Sequence, residues 1–310
     1  MSKKIVRFNL KIDLDYVPMF KWCIGASLLM AIASVTLYFQ KGINYGVDFR
    51  GGAEIQVRFT QDAELADLRE SLKGTTVPVS SVQTIGEGNR EFLLKVETDK
   101  GDLNQASAQV GEILRAKFGA DGVEILKNDI VGPKAGAQLR NSSFQAMAWA
   151  LLAIMIYLSL RFDFKYAPGA IAALVHDVLF ILAAFILTQR EFSLQIVAAL
   201  LAVIGYSVND TVVIYDRVRE IEVSRPGAHM NSVLNQAINE TMSRTILTAG
   251  GTLLVCLLMY FMGGGVIHDF FFALSLGIIS GTYSTVFIAS PVTLWMDRFQ
   301  SKGVGQTKVA

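Results

Sequence analysis

Six apolar runs, each long enough to cross a bilayer, predict a polytopic α-helical membrane protein. The mixed stretch 42–138 interrupts them after the first run and alternates like strands and helices. It predicts a small α+β domain between the first and second membrane helices. Lysine and arginine gather at one set of run ends, which assigns that domain to the side of the membrane away from the cytoplasm. Of the 310 residues, 52% are hydrophobic and 18% charged, and the two kinds of segment divide them unevenly.

Several functions are excluded at once. The formal net charge of +1 offers no basic footprint for nucleic acid. Cys23 and Cys256 both fall inside apolar runs and read as small buried hydrophobes, not as a disulfide. No zinc spacing, P-loop or dinucleotide glycine pattern occurs, so neither a metal nor a nucleotide cofactor is expected. No nucleophile–base arrangement suggests an enzyme or any catalytic residue.

Residues 1–21 carry Lys3, Lys4, Arg7, Lys11 and Lys21 ahead of the apolar run 22–39. The basic part is long, the apolar core exceeds a usual signal sequence, and no tidy cleavage site follows. The run is therefore expected to remain as membrane helix 1 over 22–41, with 1–21 in the cytoplasm.

A glycine-punctuated entry, Gly42 to Gly52, leads into the domain. Ile55, Val57 and Phe59 alternate on one face of a strand over 53–59. A helix follows over 62–72, with Asp62 as its N-cap and Leu65, Leu68 and Leu72 on one stripe. Strands over 77–85 and 91–96 are parted by Gly86, Gly88 and Asn89. A second helix over 103–118 ends at Gly119, and 123–130 closes as the fourth strand. The order βαββαβ is that of a ferredoxin-like split domain.

Residues 139–296 hold membrane helices 2–6, at about 141–160, 168–188, 194–215, 245–263 and 268–295. The 161–167 loop carries Arg161 and Lys165. The loop 216–244 carries Arg217, Arg219, Arg225 and Arg244, and the tail 297–310 carries Arg298, Lys302 and Lys308. Only Arg190 stands in the short loops opposite. Both termini and the 216–244 loop are therefore expected in the cytoplasm, and 42–138 outside it.

Three polar sites break the apolar pattern. An aspartate at the centre of a membrane helix costs roughly 2.5–3.5 kcal/mol, so it usually faces protein or water and has a task. Asp210 is such a residue, preceded by Asn209 and flanked by Tyr206, Ser207 and Thr211; Gly205 would let a neighbouring helix approach closely. His176-Asp177 lies about two turns inside the third run, either as a proton relay or as a hydrated helix end. Arg244 begins the fifth run, either as an interface anchor or as a partner of Asp210. Desolvation and a neighbouring cation act on a carboxyl in opposite senses, so water entry would tip the balance. The late glycines Gly250, Gly251, Gly263 to Gly265, Gly277 and Gly281 suggest close helix packing sooner than hinges.

The stretches that carry a family resemblance are Gly46-Val47-Asp48-Phe49-Arg50-Gly51-Gly52, Val175-His176-Asp177-Val178, Ile204-Gly205-Tyr206-Ser207-Val208-Asn209-Asp210, Tyr215-Asp216-Arg217-Val218-Arg219-Glu220, Thr241-Met242-Ser243-Arg244-Thr245 and Gly281-Thr282-Tyr283-Ser284. Together they resemble the SecD/SecF family of bacterial protein-export membrane proteins, on its SecF side, within the wider resistance-nodulation-division-type superfamily. The resemblance keeps order and spacing along essentially the whole chain; the glycine-rich Ala249-Gly250-Gly251 departs from it.

The resemblance implies half of a twelve-span unit whose other half is SecD. It implies association with the SecYEG channel, with further Sec accessory subunits and with the translocating preprotein, in a bacterial inner membrane with 42–138 in the periplasm. The proton motive force would complete translocation, with protons as the coupling ion and no other cofactor. Asp210, with Asn209 and Arg244, would carry the coupling, His176 and Asp177 a relay, and Asp216, Arg217, Arg219 and Glu220 the cytoplasmic helix-end motif. Two other readings stand beside it: half of a proton-driven lipid or small-molecule exporter, and a membrane scaffold that transports nothing. One set of six spans favours an obligate partner, and asparagine at 210 would separate a scaffold, which tolerates it, from a proton carrier, which does not.

Overall fold

The computed structural model describes residues 13–306 except 74, 76, 78, 86, 87 and 98–102. The expectations for Lys3, Lys4, Arg7, Lys11, Gly86 and Lys308 fall outside the described residues.

A single 3-10 turn, Val17–Met19, opened by Pro18, leads into α1 (Phe20–Lys41), whose C-cap is Gly42 at φ +68. The glycine-rich entry holds a helical turn that the sequence did not suggest, α2 (Val47–Arg50). The domain then runs β1 (Gly52–Phe59), α3 (Leu65–Leu72), β2 (Val79–Ile85), β3 (Glu91–Val96), α4 (Leu103–Phe118) and β4 (Val123–Val131). The sheet order is β2-β3-β1-β4 with every neighbouring pair antiparallel, which is the ferredoxin-like arrangement expected. Ile55, Val57 and Phe59 pack inward with Leu68, Leu72, Val110 and Leu114, so α3 and α4 cover one face.

Two boundaries differ from the sequence reading. Asp62 does not cap the first domain helix: its carboxylate takes Arg90 Nε at 2.6 Å, and α3 starts at Leu65. The strand expected from 77 begins at Val79, because Val79 N bonds Val77 O and turns the chain there.

Five long helices complete the chain: α5 (Pro133–Arg161), α6 (Ala167–Thr188), α7 (Leu194–Ser224), α8 (Met230–Met262) and α9 (Gly265–Ser284), the last continued through a π-helical turn, Thr285–Ala289, into α10 (Ser290–Gln306). Six segments are long and apolar enough to cross a membrane among the described residues, α9 to α10 counting as one. The second starts at Pro133, well before 141, because proline suits a first helical position and no breaker follows it. The expected loop 216–244 is a helical hairpin. Hydropathy falls after Tyr215, yet α7 runs on to Ser224 and α8 begins at Met230, with only a short turn around Gly227 between them. Side-chain polarity marks where a membrane ends; it does not unwind a backbone of good helix formers.

α7 and α9 are the inner helices, and α1 and α5 present most of their length outward. Gly277 faces Val203, where no larger residue fits, and Gly281 faces Ser207, where a Cβ would be tight at 3.2 Å. Gly205, Gly250 and Gly251 meet no neighbour among the described residues, so the expected close approach at these three does not occur there.

Gly51 and Gly52 join the membrane to the sheet. Gly51 adopts φ +90, and a Cβ there would sit 2.7 Å from the Pro133 backbone that opens α5. The domain also rests on the helix ends. Asp48 Oδ2 accepts Leu194 N at 2.9 Å as α7 begins, and Asn44 Nδ2 donates to Gln189 O at 3.0 Å. Lys95 Nζ, nearly buried, reaches Glu191 at 2.8 Å and Glu54 at 3.2 Å.

Candidate functional site

α6 carries His176 and Asp177 into the middle of the bundle, against α7 and α9. Asp177 is fully buried. Ser280 Oγ donates to its Oδ1 at 2.6 Å, and Ser207 and Ser284 Oγ donate to its Oδ2 at 2.8 and 2.9 Å. The carboxyl is thus an acceptor in each of these bonds and gathers three helices on one side chain. Gly281 makes room, since a Cβ there would lie 3.2 Å from Ser207 Oγ. Ser284 has a second acceptor in Gly281 O at 3.2 Å, and Ser280 lies 3.5 Å from His176 Nδ1.

His176 Nδ1 lies 3.4 Å from Asp177 Oδ1, and its ring packs on Phe180 and Tyr283. It borders an apolar cavity of about 320 Å³ shared with Ser27 and Met30 of α1. Tyr283 ties that helix in, donating to Cys23 O at 2.9 Å and lying 3.0 Å from Ser27 Oγ.

Asp210 follows Ser207 by three residues, one turn along α7, and is 5% exposed. It has no direct hydrogen-bond or ion-pair partner among the described residues, in contrast to Asp177. Arg244 on α8 acts on it through space without closing an ion pair, and its side chain faces outward. Asn209 is also exposed and points away from the core. The expected pairing of Asp210 and Arg244 is therefore an electrostatic neighbourhood, not a contact. Beside it, Thr211 Oγ1 bonds Thr285 Oγ1 of the π-turn at 3.0 Å. Tyr206 Oη, Thr245 Oγ1 and Ser275 Oγ are buried with no bonded partner among the described residues.

The helix-end motif is a set of struts. Asp216 pairs with Arg161 of α5 at 3.3 Å, while Arg217 takes Glu220 at 2.5 Å and also Glu240 of α8. Arg219 is exposed. Next to them Lys165 joins Glu222 at 2.7 Å and Asp297 at 3.3 Å, and Tyr166 OH donates to Glu222 at 2.7 Å. Burial first, and then the Glu222 carboxylate, hold the Tyr166 hydroxyl well above its ordinary range.

At the other end, burial raises Glu54 above the ordinary carboxylate range despite its lysine partner. Burial works the opposite way on Lys95, but Glu191 and Glu54 outweigh it and hold the ammonium above its usual value. Burial prevails at the partly solvated acid, and pairing prevails at the lysine that has two acids.

Ser280 went unremarked in the sequence. Its signal was the four-residue recurrence with Ser284, which puts two hydroxyls on one helix face. Glu191 and Lys95 carry no local signal, since each is one charge in an ordinary loop or strand.

The comparisons with known proteins agree with this layout. Residues 110–299 match the family described as protein export membrane protein SecD/SecF, C-terminal, and residues 39–63 match the SecD/SecF GG motif. The chain is 41% identical over 286 residues to the protein translocase subunit SecF of Magnetococcus marinus, covering 91% of this chain and 92% of that one. It is 36% identical to the protein translocase subunit SecF of Rickettsia prowazekii, covering 96% of each. Among solved structures it is similar to the crystal structure of SecDF, a translocon-associated membrane protein, from Thermus thermophilus, with a TM-score of 0.77 and 31% identity over 93% of this chain. The chain spans 39% of that longer protein.

Proposed function

The chain belongs to the SecD/SecF family of protein-export membrane proteins, and we propose that it serves as the SecF-type subunit of a Sec translocase accessory complex in which proton movement at Asp210 promotes late preprotein translocation. The observation that carries this reading is the contrast between two buried acids on touching helices. Asp177 already has its acceptors filled by serines, whereas Asp210 has no direct partner and only the field of Arg244. A carboxyl so placed is neutralised by a proton in one state and by a moved guanidinium in another, while Asn209 lies at the same turn. Moving one charge through 100 mV yields about 2.3 kcal/mol. At 1.4 kcal/mol per tenfold, that biases a conformational equilibrium by roughly fortyfold. No covalent step is needed.

In this reading a SecD-type subunit supplies the other half of the unit, the SecYEG channel and the preprotein are the partners, and further Sec subunits join them. The home is the bacterial inner membrane. The sheet domain faces the periplasm, and both termini and the α7–α8 hairpin face the cytoplasm, on the strength of the arginine and lysine distribution. The sheet domain offers a contact surface to the emerging chain or to the partner subunit.

The test is Asp210→Asn in inverted membrane vesicles that carry the partner subunits, with preprotein completion followed with and without an imposed proton gradient. Loss of the gradient-dependent step in a normally assembled complex is expected. Unchanged completion would return the coupling role to His176 and Asp177 or remove it from this subunit.

A further inference from the structure

The residues just before α1 are bound to α8 through their backbone. Asn239 holds Leu14 from both sides: its Oδ1 accepts Leu14 N at 3.0 Å, and its Nδ2 donates to Leu14 O at 2.9 Å. One turn earlier, Asn235 Oδ1 accepts Tyr16 N at 2.8 Å. Asn239 Nδ2 also donates to Asn235 O at 2.9 Å, which fixes its own rotamer. The spacing suits the purpose. Four helical residues advance about 6 Å, close to the roughly 6.6 Å between alternate amides of an extended chain. The ladder stops at Tyr16, and two residues on stands Pro18, which has no N–H to offer.

The clasp reads backbone and not side chain, since the Leu14 side chain is 55% exposed. Tyr16 and Phe20 supply the apolar half. Both are buried with Leu234, Ile238 and Met242 of α8, and Tyr16 meets the Phe287 ring of the π-turn at 6.1 Å. Segment 13–20 thus touches the helix that bears Arg244 and the turn whose Thr285 is bonded to Thr211, next to Asp210. Asn239 precedes Arg244 by five residues, about one and a half turns.

We propose that segment 13–20 is a strap that sets the position of α8, and with it Arg244, relative to Asp210, and that Asn235 and Asn239 are the positioning residues. The proposal rests on the reading of Asp210 and Arg244 given above. In it the strap stays closed while protons move, and its function is to hold α8 in register, so that the Arg244 side chain moves between its through-space position and Asp210 from a fixed base.

The experiment uses the full chain with its partner subunits in vesicles, after Cys23→Ala and Cys256→Ala. Arg244→Cys is alkylated with a water-soluble maleimide, with and without Asn239→Leu. The rate is expected to change by roughly thirtyfold, the shift produced by losing two hydrogen bonds of ordinary net strength. With Arg244 intact, Asn239→Leu is expected to reduce gradient-dependent completion by a similar factor and to leave gradient-independent translocation and assembly unchanged. Leu14→Cys joined to Asn239→Cys by a short thiol cross-linker is expected to restore it. An unchanged alkylation rate, or a cross-link that blocks completion, overturns the proposal. If Asn239→Leu does not accumulate, Asn235→Ala is read by the same alkylation, and no shift there is equally decisive. Asp210→Asn run in parallel separates the two ideas: if it is without effect while alkylation still shifts, the strap positions α8 but the coupling reading falls.

Discussion

Ser280 Oγ lies 2.6 Å from Asp177 Oδ1, the shortest of three serine bonds to one fully buried carboxyl. If Asp177 is replaced by leucine, Ser284 still has Gly281 O and Ser280 still has His176 Nδ1, but Ser207 loses the one acceptor its hydroxyl has among the described residues. A buried hydroxyl left unpaired costs about 1–3 kcal/mol. Asp177→Leu is therefore expected to lower thermal stability in detergent, and Asp177→Leu/Ser207→Ala to recover part of that loss. A double variant no more stable than the single one would show that Ser207 is not the orphan.

Arg244 acts on Asp210 without touching it, so its charge matters more than its forked geometry. Arg244→Lys is expected to keep most of the gradient-dependent translocation, and Arg244→Gln to lose it. Equal failure of both, in assembled complexes, would point to a bidentate contact in another state.

Gly51→Ala should prevent normal accumulation of the protein. It combines φ +90, which costs of order 1–3 kcal/mol for a residue with a Cβ, with a collision against Pro133. Gly250→Ala has open space and should be neutral or stabilise α8 by up to about 1 kcal/mol. The two are compared by protease resistance in membranes; a damaging Gly250→Ala would mean that another subunit packs there.

Lys95 ties the sheet domain to the bundle. Lys95→Met leaves Glu54 and Glu191 facing each other and should destabilise by roughly 3 kcal/mol, the lower end for breaking a buried pair, because the two acids stay 29% and 18% exposed. Its folded pKa is raised above the ordinary 10.5. The stabilisation is therefore complete below that pH and is lost as pH rises through the folded value. Melting temperature followed from pH 8 upward should fall in the parent and much less in Lys95→Met; parallel curves would deny the link a role.

The domain strands were legible because a half-buried sheet writes its burial at period two, as Ile55, Val57 and Phe59 do. The membrane helices were legible from length and apolarity, though not where they end. α7 and α8 continue past the apolar runs because helical backbone does not need lipid. Asp62 was a sound N-cap by local chemistry and lost to Arg90, which is distant in sequence but adjacent across the loop. Asp177 and Asp210 could both be picked out as misplaced charges. Which of them has bonded partners depends on serines 30 to 107 residues away, and no local pattern encodes that.

The strap also orders the making of the protein. Leu14 and Asn239 are separated by 225 residues, so the ribosome has left the first membrane segment far behind before its clasp exists. At about 5–20 residues per second, that is an interval of roughly 10–45 s. Until then the Leu14 and Tyr16 amides are served by water, and α1 holds its place in the bilayer by its hydrophobicity and, once α6 is made, by packing on that helix. The beginning of the chain therefore closes onto a helix made late, before the Phe287 ring that completes its apolar contact exists, and a truncation that stops before residue 235 removes both asparagines of the clasp.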